Sequence, residues 1–206
     1  MIGSELYALT TDILDGEIMN EDFFYQLLNI AKTNLEELRA WNFLKKLDES
    51  ETGNTSPKSL PTDFGRDYKV LVGTQEYIPV PFEDKHQGGS YRYYLDVANG
   101  TYNLLGTPKS EPVYFFYLRF TPELGAEDAP VFPERFHKLL AFYVAGYYQN
   151  GVDADDLFAR MSPENKAQAL TLQRSMVSWD ANLSARARNN QIGVAQSEPL
   201  NDLSQW

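Results

Sequence analysis

Apolar residues recur at three- and four-residue steps through Phe24, Leu27, Leu28, Ala31, Leu35, Leu38, Trp41 and Leu44. That is the spacing of one helical face, so a long helix is expected from an Asn20 cap to about Leu47. Glu21 and Asp22 follow the cap, where carboxylates complement the helix dipole. A short helix is expected before it, over residues 4–14. The run DESETGNTSPKSLP then breaks the pattern with Gly, Pro, Ser and Thr, and the chain passes into loop.

Beyond this loop the period shortens to two. Residues 68–72 and 76–80 read as strands, 91–97 and 101–105 flank the hairpin pair Asn99-Gly100, and an aromatic run over 112–120 adds another, for five or six strands. Helical spacing returns at Pro133. Phe136, Leu140, Tyr143 and Tyr147 fall on one line and Leu139, Phe142 and Gly146 on another, so this helix is apolar nearly all round. Asn150-Gly151 ends it. A brief helix is expected over 155–161 and a last one from Ser162-Pro163-Glu164 to about Arg188. Its Leu172, Met176, Trp179 and Leu183 form a packing seam, while Gln168, Arg174 and Asn182 face elsewhere.

These patterns predict an α+β chain. A discontinuous helical bundle of two long helices plus shorter ones (1–50 and 131–188) carries a β-rich insert of antiparallel hairpins (51–130) and an extended C-terminal tail (189–206). The tail is polar and unpatterned, yet Ile192, Val194, Leu200, Leu203 and Trp206 stud it with apolar anchors. Segments of this kind order on a partner.

Composition narrows the function classes. With 206 residues, 13 Tyr and 12 Phe, the chain has enough apolar surface for one good core. Eighteen basic against 29 acidic residues give a net charge of −11. Such an average surface repels phosphates, and no basic stripe appears, so sequence-specific nucleic-acid binding is not expected. Cysteine is absent, which removes thiolate nucleophiles and thiol metal ligands. No signal-peptide pattern or membrane-length apolar run is visible, so no membrane partner is expected and the protein is expected in the cytoplasm where it is made.

Candidate chemistry is sparse. His137 could act as a general base, but no partner pattern accompanies it, and its apolar helical surroundings suit a framework role. His86 with Glu83 and Asp84 lacks the ligand spacing of a metal site, and a solvated loop is expected there. Asp153, Asp155 and Asp156 begin like a calcium loop without its Gly and distal Glu, and serve equally well as a helix cap. Gly88, Gly89 and Gly100 read as turn residues, and no serine sits in a nucleophile elbow. The tyrosines of Tyr91-Arg92-Tyr93-Tyr94 and Tyr147-Tyr148 suit core and interface equally. No catalytic residue, metal or cofactor is expected.

Three segments in order, Trp41-Asn42-Phe43-Leu44-Lys45-Lys46, Leu60-Pro61-Thr62-Asp63-Phe64 and Phe132-Pro133-Glu134-Arg135-Phe136-His137-Lys138-Leu139-Leu140, resemble the head-to-tail adaptor (connector) proteins of tailed bacteriophages, the group that includes tail tubular protein A. The resemblance spans about residues 20–188. It implies a structural virion protein of the neck, assembled in the host cytoplasm as a homo-dodecameric ring below the portal protein. The C-terminal tail would dock on the portal, a downstream nozzle or tail-tube component would bind the far side, and DNA would pass only as cargo. Thr121 to Pro130 and the tail depart from the pattern. Two other readings stand beside it: a tail-completion or terminator protein, and a carbohydrate-binding or carbohydrate-active module using Glu83, Asp84 and the tyrosines.

Overall fold

The computed structural model describes residues 1–53, 57–86, 89–106 and 110–193, with side chains to residue 185. The chain divides into two compact units, Met1–Leu35 together with the chain from Leu124 onward, and Glu36–Glu123.

The first unit is helical: α1 (Gly3–Ile13), α2 (Glu21–Glu37), α3 (His137–Asn150) and α4 (Pro163–Gly193). Asn20 caps α2, its side-chain oxygen accepting from Phe23 N–H at 3.1 Å and its carbonyl from Phe24 N–H at 2.9 Å. Phe24, Leu27, Leu28, Ala31 and Leu35 are buried along one face, as the spacing predicts. α3 is enclosed on every side, with ten of its fourteen residues buried. It stops at Gly151, whose φ of 88° only glycine adopts at low cost and whose N–H closes on the Tyr147 carbonyl at 2.8 Å. Gly146 lets the following loop lie directly on α3, since a Cβ there would meet the Leu157 carbonyl oxygen at 2.7 Å.

Two helical expectations fail in informative ways. Residues 155–161 form turns, because Asn150 Nδ2 donates to the Leu157 carbonyl at 2.9 Å and Met161 N–H turns to Phe158 instead. The helix expected to reach Leu47 ends at Glu37. Leu38 is exposed, the Arg39 guanidinium lies 5.2 Å over the Trp41 ring, and a 3₁₀ turn at Asn42–Leu44 leads into strand. Trp41 and Leu44 continue the helical spacing by coincidence; both are buried as part of the second unit. Sheet pairing there outweighs local helix propensity.

The second unit is a seven-stranded mixed sheet: β1 (Lys45–Asp48), β2 (Lys58–Ser59), β3 (Phe64–Val72), β4 (Gln75–Pro79), β5 (Arg92–Asp96), β6 (Thr101–Leu105) and β7 (Val113–Arg119), in the order β1-β7-β3-β4-β5-β6-β2. β1 zips onto β7 with Lys45 opposite Leu118 and Asp48 opposite Phe115. β4 and β5 run parallel, Ile78 opposite Arg92, because the connection between them is long enough for a crossover. Asn99-Gly100 does join antiparallel strands β5 and β6. The connection is a 3₁₀ turn over Val97–Asn99, capped by the Asp96 side chain and closed by Gly100 at φ 63°.

The sheet curls over its own core. β7 and β6 stand four strand positions apart, ~19 Å in a flat sheet. Yet the rings of Phe115 and Tyr102 stack with centroids 4.5 Å apart. Val70, Val72, Tyr77, Tyr93, Val113 and Tyr117 fill the space they enclose. The expected architecture is therefore corrected. The chain is α+β, but in place of a bundle of two long helices with an antiparallel hairpin insert its described residues form four helices and a curled, mixed sheet, with strands dominant in the core. The sequence reading missed this because the end of the supposed long helix is β1, and because β2 has only two residues.

Asp63 fastens β1 to β7. Its carboxylate accepts from Lys46 Nζ at 2.6 Å and from Tyr117 Oη at 2.7 Å, on two residues that face each other across the strand pair. Burial pushes the Asp63 carboxyl up, but the hydrogen bonds from Lys46 and Tyr117 outweigh it and hold the group below the usual carboxylate range.

A depressed folded pKa stabilises the protein above the unfolded value near ~3.9, and the contribution disappears as pH falls through the folded value. Asp63→Asn is therefore expected to cost about 1–2 kcal/mol at neutral pH. In urea titrations the gap between variant and wild type should narrow below about pH 4. Gly146→Ala is expected to lower stability by about 1–3 kcal/mol despite alanine's better helix propensity, because the loop at Leu157 must move; thermal unfolding reads this directly.

Candidate interaction surface

Ser162 caps α4: its Oγ accepts from Asn165 N–H at 3.2 Å and its carbonyl accepts from Lys166 N–H at 2.9 Å. Its 31 residues span about 46 Å. Among the described side chains of α4 only a narrow seam is fully buried: Ala169, Met176 and Asp180, at steps of seven and four. Of the seam expected from sequence, Met176 is buried while Leu172, Trp179 and Leu183 are half-buried. The side turned from this seam carries Glu164, Gln168, Thr171, Ser175, Ser178 and Asn182, again at steps of four and three.

Where the start of α3 meets this side, two open clefts form. One, of about 450 Å³, lies between Lys138 and residues 164–172 of α4, and is floored by Ala167 and Leu172. There Lys138 Nζ donates to Gln168 Oε1 at 3.2 Å. The other, of about 470 Å³, is lined by Arg135, Arg174, Ser175, Ser178, Trp179 and Asn182. The Arg135 guanidinium carbon stands 4.7 Å from the Phe136 ring centre and 5.0 Å from that of Trp179, and the two rings lie 5.7 Å apart. Aromatic faces thus hold Arg135 in place without neutralising it. Neither Arg135 nor Arg174 has a carboxylate within ion-pair distance among the described residues. In a chain of charge −11, two uncompensated guanidiniums on one cleft are a local reversal of sign.

The second unit offers a different surface. Ile78 is 64% exposed, and Phe82 and Tyr91 are also exposed. Beside them a recess of about 380 Å³ is walled by Pro79, Val80, Pro81, Phe82 and Leu95, with Asp67 and Tyr93 at its polar end. Tyr93 Oη donates to the Asp67 carboxylate. Burial, then this bond, pushes the Tyr93 hydroxyl far above its ordinary pKa, so it stays a donor at any working pH.

The residues singled out by sequence scatter. His137 is buried, with Nε2 donating to the Phe132 carbonyl at 2.7 Å and Nδ1 accepting from the Met1 nitrogen at 3.0 Å, a framework role. His86 and Glu83 are exposed in the crossover beside the half-buried Asp84, and among the described residues no three His, Asp or Glu side chains gather to hold a metal. Asp156 pairs with Lys166 at 2.7 Å and caps Phe158 N–H. The hydrogen bond from Lys166, then that from Phe158, lowers its pKa. The tyrosine runs divide: Tyr93 and Tyr147 are core, whereas Tyr91 and Tyr148 reach the surface. Of the tail anchors, Ile192 lies in the last turn of α4 with its side chain undescribed. Val194, Leu200, Leu203 and Trp206 lie outside the described residues.

The cleft at Arg135 escaped the sequence reading. Arg174 is visible there as an outward residue and Trp179 as a seam residue, but nothing in their spacing from Arg135 says that α4 passes the start of α3. No protein-family model matches this chain, and no curated protein matches it.

Because Arg174 is exposed and makes no ion pair within its own chain among the described residues, Arg174→Glu is expected to shift the unfolding free energy by less than about 0.5 kcal/mol. Trp179→Ala, which removes the support of Arg135 and half-buried area on Phe136, should cost about 1–3 kcal/mol. Denaturant titration of the pair separates a residue that serves association from one that serves the fold.

Proposed function

We propose that this protein is a structural assembly component, a head-to-tail adaptor of a tailed bacteriophage that works through its interfaces and performs no catalysis. The observation that carries the reading is α4, about 46 Å of helix whose polar side, among the described residues, borders two guanidiniums without an ion-pair partner and leaves Glu164, Thr171, Ser175, Ser178 and Asn182 exposed. A long helix with one buried seam and one free side is the form of an element waiting for a neighbour. Supporting it are the ordered Trp41, Leu60 and Phe132 segments of the adaptor resemblance and the negative overall charge, which keeps a conduit from binding the DNA that passes through it. In this role the portal protein lies on one side, a tail component on the other, and copies of the chain form a ring between them in the virion neck. The anchors Ile192, Val194, Leu200, Leu203 and Trp206 would engage the portal.

The test is electron microscopy of the full chain with and without its portal. Rings of about a dozen subunits capping the portal are expected. A chain ending at Gly193 should give the same unfolding curve and no capped portals. Capping without residues 194–206 would remove the tail from the reading, and binding to a tail tube but never to a portal would favour a tail-completion role.

A further inference from the structure

The Arg135–Arg174 cleft has a matching surface on the same chain, at the other end of α3. The turn after Gly151 presents Val152, 40% exposed, followed by the exposed Asp153 and Asp155. Neither of these carboxylates pairs with a cation among the described residues, whereas Asp156 beside them is taken by Lys166 at 2.7 Å. So, among the described residues, one end of the helical unit carries two guanidiniums without ion pairs, Arg135 of them over aromatic rings, and the other carries two carboxylates without ion pairs beside an exposed valine.

Within one copy these surfaces are held apart. The turn is tied to Lys166, and the cleft residues 174–182 lie about 12–24 Å further along α4. α4 starts beside the end of α1, with Asn165 near the Ile13 carbonyl, takes a hydrogen bond from Lys138 of α3 at Gln168, and meets Phe136 just before α3 at Trp179. The rod itself keeps donor and acceptor from meeting.

We infer that the cleft of Arg135, Arg174 and Trp179 receives the Val152–Asp155 turn of a second copy of this chain. Each guanidinium takes one carboxylate, Ser175, Ser178 and Asn182 supply further donors, and Val152 covers the edge of Trp179. Cleft and turn are different surfaces, so the contact is heterologous: each copy uses its cleft on one neighbour and offers its turn to the next, and the chain of contacts closes into a ring or continues as a filament. This deepens the adaptor reading and rests on its premise of self-assembly, while naming surfaces that the premise does not require.

The native chain has no cysteine, so single cysteines report the contact cleanly. Full-length Arg174→Cys and Asp153→Cys proteins are mixed and oxidised at low ionic strength. The mixed disulfide dimer is expected to form about tenfold faster than either homodimer, and to slow at high salt. A chain carrying both cysteines should give a ladder of multimers. At low ionic strength and high protein concentration, where the native chain self-associates, Arg174→Glu and Asp153→Lys each suppress sedimentation-detected association, and mixing these two charge-reversed proteins restores it, which a folding defect would not allow. Equal rates for mixed and homodimers, or association unaffected by either reversal, overturns the assignment even if portal-capped rings form. Binding of a short DNA duplex that Arg174→Glu abolishes, with no mixed disulfide, also overturns it and gives the cleft to phosphate.

Discussion

The helical unit is organised by one requirement: α3 is apolar around its whole circumference and must be covered on every side. α1 covers one side, the turn at Leu157 lies against Gly146 on another, and α2 reaches it where Asn34 Nδ2 donates to the Tyr147 hydroxyl at 2.9 Å. What remains for α4 is small. Its contacts with α3 are few and local, such as Gln173 Nε2 on the Tyr143 hydroxyl at 3.0 Å and Trp179 on Phe136. A helix of about eight turns, buried along only about three of them among the described residues, is left with most of its surface unspent. The free side of α4 follows from how completely the other elements satisfy α3.

The sheet unit meets an analogous requirement by curvature. A flat seven-stranded sheet would leave one face of Val70, Val72, Phe115 and Tyr117 bare, and among the described residues the strands of this unit are joined by no helix longer than a 3₁₀ turn. Curling brings β6 over β7, and aromatic rings span the gap that shorter side chains could not. The same solution places tyrosine hydroxyls inside. Tyr93 and Tyr117 meet carboxylates at Asp67 and Asp63, so these two hydroxyls are satisfied at the rim of the core, whereas the buried Tyr102 hydroxyl has no hydrogen-bond partner among the described residues.

These contrasts explain what could be read in the sequence. α1, α2 to Glu37, α3, α4 and strands β3 to β7 were legible because each carries its own periodicity or turn residues, Asn20, Gly100 and Gly151 above all. β1 was not, since Lys45-Lys46-Leu47-Asp48 is a strand only because β7 stands beside it. The parallel pairing of β4 and β5, and hence the curl, is decided between segments a dozen residues apart and leaves no local mark. The framework role of His137 was legible from its apolar neighbours. The Arg135 cleft was hidden for the same reason as β1: it is assembled from residues forty positions apart, none of them unusual alone.

Exposed ion pairs are individually weak, typically under about 1 kcal/mol in water. Two such pairs and a valine contact therefore cannot hold a pair of free copies together for long. Around a closed ring every copy makes the contact twice, once through its cleft and once through its turn, and a template that already fixes the copies side by side raises their effective concentration. Under the proposed reading this weakness is useful. An adaptor whose subunits adhered strongly would form rings and filaments before a filled head offered its portal, whereas one built on partly hydrated charge pairs self-associates only at low salt and high concentration, and elsewhere waits for the portal to gather it. The same reasoning gives a role to the aromatic seat of Arg135: it is held in place before the neighbour arrives, so less side-chain freedom is lost when the proposed contact closes.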